Sequence, residues 1–254
     1  MLTLSPNGAP CPVTEQLWNH YRTFQQSAKL PKRLAKKASP PLLLLPHEKW
    51  GTAKSKVLIV GQETLRWQYN PGELGNSGQS PIENLWDFLQ AEDGVGAMWR
   101  LYRWYALGRA YPKQNSPFWR GFRALSSAIG GCEDSALWTN VFKVNVRGPV
   151  MDCKVAEISA LRRAQEGLLR YEIKLLKPDV VVFLSGPRYD STIQHDFPDV
   201  EISQFSQRLP ASSVGLVRAA GLPTRSIRTF HPEYLQRSNQ LGLLSEVSRW
   251  ATGG

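Results

Sequence analysis

The chain is short of cysteine, of acidic side chains and of long apolar runs, and each shortage removes a class of protein. Its three cysteines, Cys11, Cys132 and Cys153, are widely spaced and odd in number. They suit neither a disulfide framework nor a cysteine-rich metal site, so reduced thiols and no metal are expected. No apolar stretch approaches the roughly 20 residues of a membrane span, and no basic segment followed by an apolar one opens the sequence. No membrane partner and a cytoplasmic location are expected. Acids are outnumbered, with 21 Asp+Glu against 31 Lys+Arg, for a formal charge of +10 and a pI near 9.7. That balance suits a polyanion, with nucleic acid the first candidate and an anionic surface the second. Nine tryptophans add weight to nucleic acid, because bases stack on aromatic rings, although most tryptophans are core.

What is present organises itself around Lys56-Val57-Leu58-Ile59-Val60-Gly61-Gln62-Glu63-Thr64. A short Val/Ile-rich run reads as a strand buried on both faces, ended by Gly61. In open α/β sheets ligands bind outside the carboxyl ends of the strands, which makes Gln62 and Glu63 candidates for chemistry. Ala136 to Asn145 reads as a second buried strand, Asp179 to Gly186 as a third, and Thr224 to Phe230 as a fourth that delivers His231. Residues 154 to 176 read as one amphipathic helix, so the second and third strands imply a right-handed βαβ crossover. A short edge strand is expected within 197 to 205, then a loop to Pro223, and a final helix from about Tyr234 to Trp250.

Ahead of the first strand, residues 1 to 46 form a basic, partly helical arm, expected to pack on a single main domain of residues 47 to 254. Its cluster Lys29, Lys32, Arg33, Lys36 and Lys37 is explained either by a solvated helix face or by a phosphate track. After the strand, Trp67 to Gly78 is a loop by its Gly, Asn and Pro content. Helices are expected from Ser80-Pro81, from Ala97 to Leu107, and from Ser116-Pro117 to Gly130, each with apolar residues at helical spacing.

Four strand ends thus carry Gln62 and Glu63, then Asn140, then Ser185-Gly186, then His231. A carboxylate, an amide and an imidazole at one sheet edge can position water, read a heterocyclic base and stabilise a developing anion. These residues resemble the uracil-DNA glycosylase superfamily. Val57 to Glu63 is similar to its Gly-Gln-Asp-Pro-Tyr motif, Leu137 to Val141 to the strand with the base-reading asparagine, Leu176 to Gly186 to its third strand, and His231 to Leu235 to its His-Pro-Ser loop. The Phe142-Lys143 pair is closest to the iron-sulfur-type branch. The resemblance covers about residues 50 to 250 and agrees in order and spacing.

It implies a three-layer α/β/α fold with a central, mostly parallel four-stranded sheet. The implied activity is a DNA glycosylase, a hydrolase of the N-glycosidic bond of uracil or another damaged base flipped out of DNA, acting as a monomer without cofactor. Glu63 would orient or deprotonate the water and His231 would donate to the departing base. Gln62, Asn140, Trp67 and Tyr69 would surround the base, with Trp86 as a further aromatic. Lys143, Arg147, Tyr234 and Leu235 would contact DNA, with Leu235 as wedge. The chain departs from the pattern at Glu63, where the family has Asp or Asn, at Thr64 and Leu65 in place of Pro and Tyr, and at Glu233 in place of the serine. Its cysteines lack the four-cysteine spacing of the iron-sulfur branch. Three functions therefore compete: a glycosylase, a catalytically silent nucleic-acid or nucleotide binder, and a hydrolase or transferase of small nucleosides.

Overall fold

The computed structural model describes residues 12–64, 67–74, 80–107, 115–146 and 148–253. Arg147, Leu65 and the end of the Gly-rich loop at 75–78 lie outside the described residues. In chain order the elements are α1 (Pro12–Ser27), α2 (Lys32–Ala35), β1 (Val57–Gly61), α3 (Leu85–Gln90), α4 (Gly94–Tyr102), α5 (Pro117–Gly130) and β2 (Ala136–Asn140). Then come α6 (Val155–Ala164), α7 (Leu168–Leu176), β3 (Val180–Phe183), α8 (Asp190–Asp196), β4 (Glu201–Gln204), β5 (Val214–Arg218), β6 (Arg225–Thr229), α9 (Pro232–Arg237) and α10 (Gly242–Thr252). The chain is α/β, and it divides into two compact units. The first comprises residues 1–47, 63–113 and 142–168, and the second residues 48–62, 114–141 and 169–254.

The second unit holds the whole sheet, six strands in the order β2-β1-β3-β6-β5-β4. Pairing is parallel from β2 to β6 and antiparallel from β6 through β5 to β4. The four strands expected from the sequence are the parallel ones. The sheet is larger because β5 lies in the passage read as a loop, where its short VGLVR segment lacks alternation. Every residue of β1, β2 and β3 is buried, as parallel strands covered on both faces require. Parallel pairing also puts the ends of β2, β1, β3 and β6 at one edge. Arg228, mid-strand on β6 and almost wholly buried, is satisfied by Asp190 at 3.1 Å and by the carbonyls of Ala211 and Ser212. This anchors the strand that leads to His231.

Helix α5 starts and stops as its sequence dictates. Ser116 accepts from the Trp119 N–H, Pro117 opens the first turn, and Gly131 ends the helix in the left-handed region at φ 81°. Other boundaries differ from the sequence reading. The expected 154–176 helix is two helices, α6 and α7, because Gly167 turns left-handed at φ 79° and the Gln165 side chain accepts from the Lys143 N–H. The final helix is likewise split around Asn239, at φ 55°. Instead of a helix from Pro81, Ile82 exchanges two 3.0 Å backbone hydrogen bonds with Tyr69, and α3 begins later with Asn84 capping the Asp87 N–H. In the first unit α4 continues into a π-turn at Arg103–Leu107, and Pro31 separates α1 from α2. Among the described residues no helix is long and apolar enough to cross a membrane.

Candidate functional site

Gly61 and Asn140 are paired neighbours at the ends of β1 and β2. Asn140 is 1% exposed, and its Oδ1 accepts from the Trp138 indole N–H at 3.1 Å. Because an indole N–H can only donate, this bond fixes which way the amide faces. Its Nδ2 is then left buried with no partner among the described residues. A buried amide donor without a partner costs about 1–3 kcal/mol, so a water or a ligand acceptor would be bound favourably there.

Glycine at position 61 is what admits that amide. A Cβ there would lie 2.4 Å from Asn140 Oδ1 and 3.1 Å from the Phe118 ring. The Gly61→Ala variant is therefore expected to lose about 1–3 kcal/mol of stability through overpacking, read from its urea midpoint. A midpoint equal to that of the parent would show that the amide has room to move.

Phe118, at the start of α5, joins the two halves of the site. Its half-buried ring stacks on the His231 imidazole at 5.8 Å between centroids and 15° between planes, and lies 5.6 Å from the Trp138 ring. His231 caps α9, its Nδ1 accepting from the Glu233 N–H at 3.2 Å. Neutral imidazole with Nδ1 as acceptor must carry its proton on Nε2, which makes Nε2 a donor. Burial pushes the His231 pKa down to about 4, opposed by the Glu233 carboxylate and assisted by Arg237. The ring is thus neutral at physiological pH. Between these groups, Gln62 donates from Nε2 to the Ser185 carbonyl at 2.8 Å, and the buried Ser185 Oγ has no partner among the described residues.

The second unit thus brings together Gln62, Asn140, Ser185 and His231 on strand ends, with Phe118 and Trp138 as the aromatic members that sequence reasoning missed. Its remaining residues from the sequence reading divide by exposure. Tyr234 is 45% exposed, with its ring 4.4 Å from that of Phe230. Leu235 is wholly buried as the core side of α9 and is not offered as a wedge.

In the first unit, Glu63 accepts from the Val150 N–H through both carboxylate oxygens, at 3.1 and 2.9 Å. Trp67 and Tyr69, expected beside the base, are core residues of that unit. Trp67 donates to the Pro41 carbonyl and the Tyr69 hydroxyl accepts from Arg100. Lys143 is also wholly buried, which takes its ammonium away from any phosphate in solution. Among the described residues no group of three or more His, Cys, Asp or Glu is placed to hold a metal ion.

In comparison with known proteins, no family model matches the chain and no curated protein matches it.

Proposed function

We propose that the chain is a DNA glycosylase that hydrolyses the N-glycosidic bond of uracil or another damaged base flipped out of DNA. The observation that carries this reading is the Asn140 amide, buried and oriented by Trp138, with its N–H unpartnered among the described residues. A base carbonyl is the acceptor that fits it, and the second lone pair of Oδ1 remains for an imide N–H. Across the Phe118 ring, the neutral His231 presents an Nε2 donor suited to the base oxygen on which charge grows as the bond breaks. Water adds to C1′ and gives up a proton, the C1′–N bond breaks with its electron pair leaving on the base, the base takes up a proton, and the products are a free base and an abasic sugar. Sequence position assigns the water to Glu63, the residue after Gln62. The parallel part of the sheet is also what a uracil-DNA glycosylase-like, three-layer α/β/α fold would supply.

Oligonucleotides carrying uracil, hypoxanthine or xanthine, single- and double-stranded, test the proposal. Release of a free base, with an alkali-labile site in the strand, is the expected result. No release from any of them overturns it. A second reading, a catalytically silent binder of nucleic acid or a nucleotide, is favoured by the Glu63 carboxylate being engaged by the Val150 N–H and by Glu233 standing at the start of α9. Salt-sensitive binding of the same oligonucleotides without turnover is its signature.

A further inference from the structure

The basic cluster of the N-terminal segment has a use that the glycosylase reading does not absorb. Lys29, Lys32, Arg33, Lys36 and Lys37 are all exposed. Among the described residues none of them has an acid in ion-pair range, whereas Lys49, Arg100 and Arg228 each have one. Five unpaired cations within nine residues repel one another and raise the local positive potential, so a partner that neutralises them is bound favourably.

These cations run between two open grooves of the first unit. One, of about 520 Å³, is lined by Gln25, Gln26, Lys29, Pro31, Trp86 and Gln90. The other, of about 300 Å³, is lined by Lys36, Lys37, Gln68, Asn84 and Asn145 among others. The larger is walled by amides, an indole and Lys29 together with Leu30, Pro31 and Leu89, and the smaller carries the Glu83 carboxylate beside its two lysines. Lys32 holds its ammonium 4.6 Å above the Trp86 ring.

Gln25, one of the residues lining the larger groove, is held in place by backbone carbonyls. Gln25 is 7% exposed, and its Nε2 donates to the Phe88 and Ala91 carbonyls at 2.8 and 2.6 Å. Both donors are thereby committed, and Oε1 is left buried with no partner among the described residues. The groove thus offers an indole beside its amide side chains, and the cluster offers cations for phosphate. A nucleotide carries the complements of both, a flat ring and a phosphate. An anionic lipid surface would satisfy the cations, but the cluster presents no exposed large apolar side chain to insert.

We infer that this face of the first unit binds a single strand of nucleic acid, with its phosphates on Lys29, Lys32, Arg33, Lys36 and Lys37 and a base seated beside Trp86. The inference does not rest on base release, because the strand it concerns need hold no damaged base.

Three measurements on the whole chain test it. A variant with all five cations changed to Gln is compared with a control that loses as many exposed cations elsewhere: Lys54, Lys174, Arg208, Arg218 and Arg249. Binding of a fluorescent oligothymidylate is expected to weaken about tenfold or more in the first variant, with the slope of log affinity against log salt shallower by about 2–3. The control should move much less. An equal loss in both would reduce the effect to net charge and overturn the inference. In the second measurement an otherwise identical abasic strand is expected to bind several-fold more weakly than the thymidylate, and equal affinity would overturn the seated base. In the third, vesicles of phosphatidylglycerol and phosphatidylcholine replace the strand. Loss of vesicle binding in the first variant with oligothymidylate binding unchanged would make the face a lipid site instead. Because the five residues are exposed and none has an acid partner among the described residues, the thermal midpoint of the variant should stay within a few degrees of the parent, as with most surface substitutions.

Discussion

Asn140→Ala is expected to reduce base release on the order of 10⁴-fold while leaving oligonucleotide affinity within a few-fold of the parent. The size follows from where the amide sits. A site built to hydrogen-bond one edge of a base rejects a partner lacking it by far more than a hydrophobic pocket rejects a missing methyl group. Asn140 is 1% exposed, its Oδ1 is held by the Trp138 indole, and its N–H has no partner among the described residues. Water therefore does not replace the lost contact at little cost, as it would at the surface. The companion variant Trp138→Phe keeps an aromatic ring beside Phe118 and removes the indole donor together with part of the ring volume. With nothing to distinguish the two ends of the amide, Asn140 can turn over and present oxygen where the N–H stood. Release of uracil is then expected to fall about tenfold, and discrimination against cytosine, whose edge has donor and acceptor exchanged, to narrow with it. Single-turnover release from uracil- and cytosine-bearing strands measures both effects. Parental rates in Asn140→Ala would remove Asn140 from the chemistry, and a rate loss in Trp138→Phe without a change in discrimination would reduce Trp138 to packing.

The elements that could be read from sequence are those whose signal is local and redundant. β1, β2 and β3 are short, mostly apolar segments rich in Val, Ile, Leu and aromatics, the composition of a strand buried on both faces. α5 carries its own cap, its own first-turn proline and its own glycine stop. The breaks at Gly167 and Asn239 were not readable, because the apolar periodicity continues through them and the cause at the first is a tertiary bond, Gln165 to the Lys143 N–H. β5 failed for the opposite reason, being too short and too mixed to stand out. At the candidate site, Asn140 and His231 could be placed at one edge because the ends of parallel strands lie together there. Phe118 and Trp138 were passed over because an aromatic at a helix start or within a strand looks like core. Trp67 and Tyr69 stand close to Glu63 in sequence, but closeness in sequence does not report burial, and both rings are core. Lys143 carries the same lesson, since a lysine is buried so seldom that sequence alone assigns it to the surface.

His231→Ala is expected to lower base release on the order of 10²–10³-fold, the usual cost of removing one preorganised donor from a developing anion. The pH behaviour separates this role from a structural one. Burial holds the imidazole pKa near 4, against an ordinary value of 6.5, so the folded protein keeps the ring neutral where the unfolded chain would protonate it. Between pH 6.5 and 4 the unfolded state binds the extra proton, and stability therefore falls as pH falls through that window, by at most about 3 kcal/mol from this residue. Below pH 4 the folded ring is protonated as well and the contribution stops growing. Protonation at Nδ1 would also set an N–H against the Glu233 N–H that it now accepts, which unmakes the cap of α9. The ring C–H signals in proton NMR should accordingly titrate near 4. Glu233→Gln should move that midpoint lower, since the carboxylate raises it, and Arg237→Gln should move it higher. In His231→Ala the loss of stability between pH 6.5 and 4 should be smaller than in the parent by the share His231 supplies. Base release should hold its His231-dependent component from neutral pH down to about 5. A midpoint near 6.5 would mean that the ring is solvated, and its Nε2 proton would then be no better placed for the leaving base than that of any surface histidine.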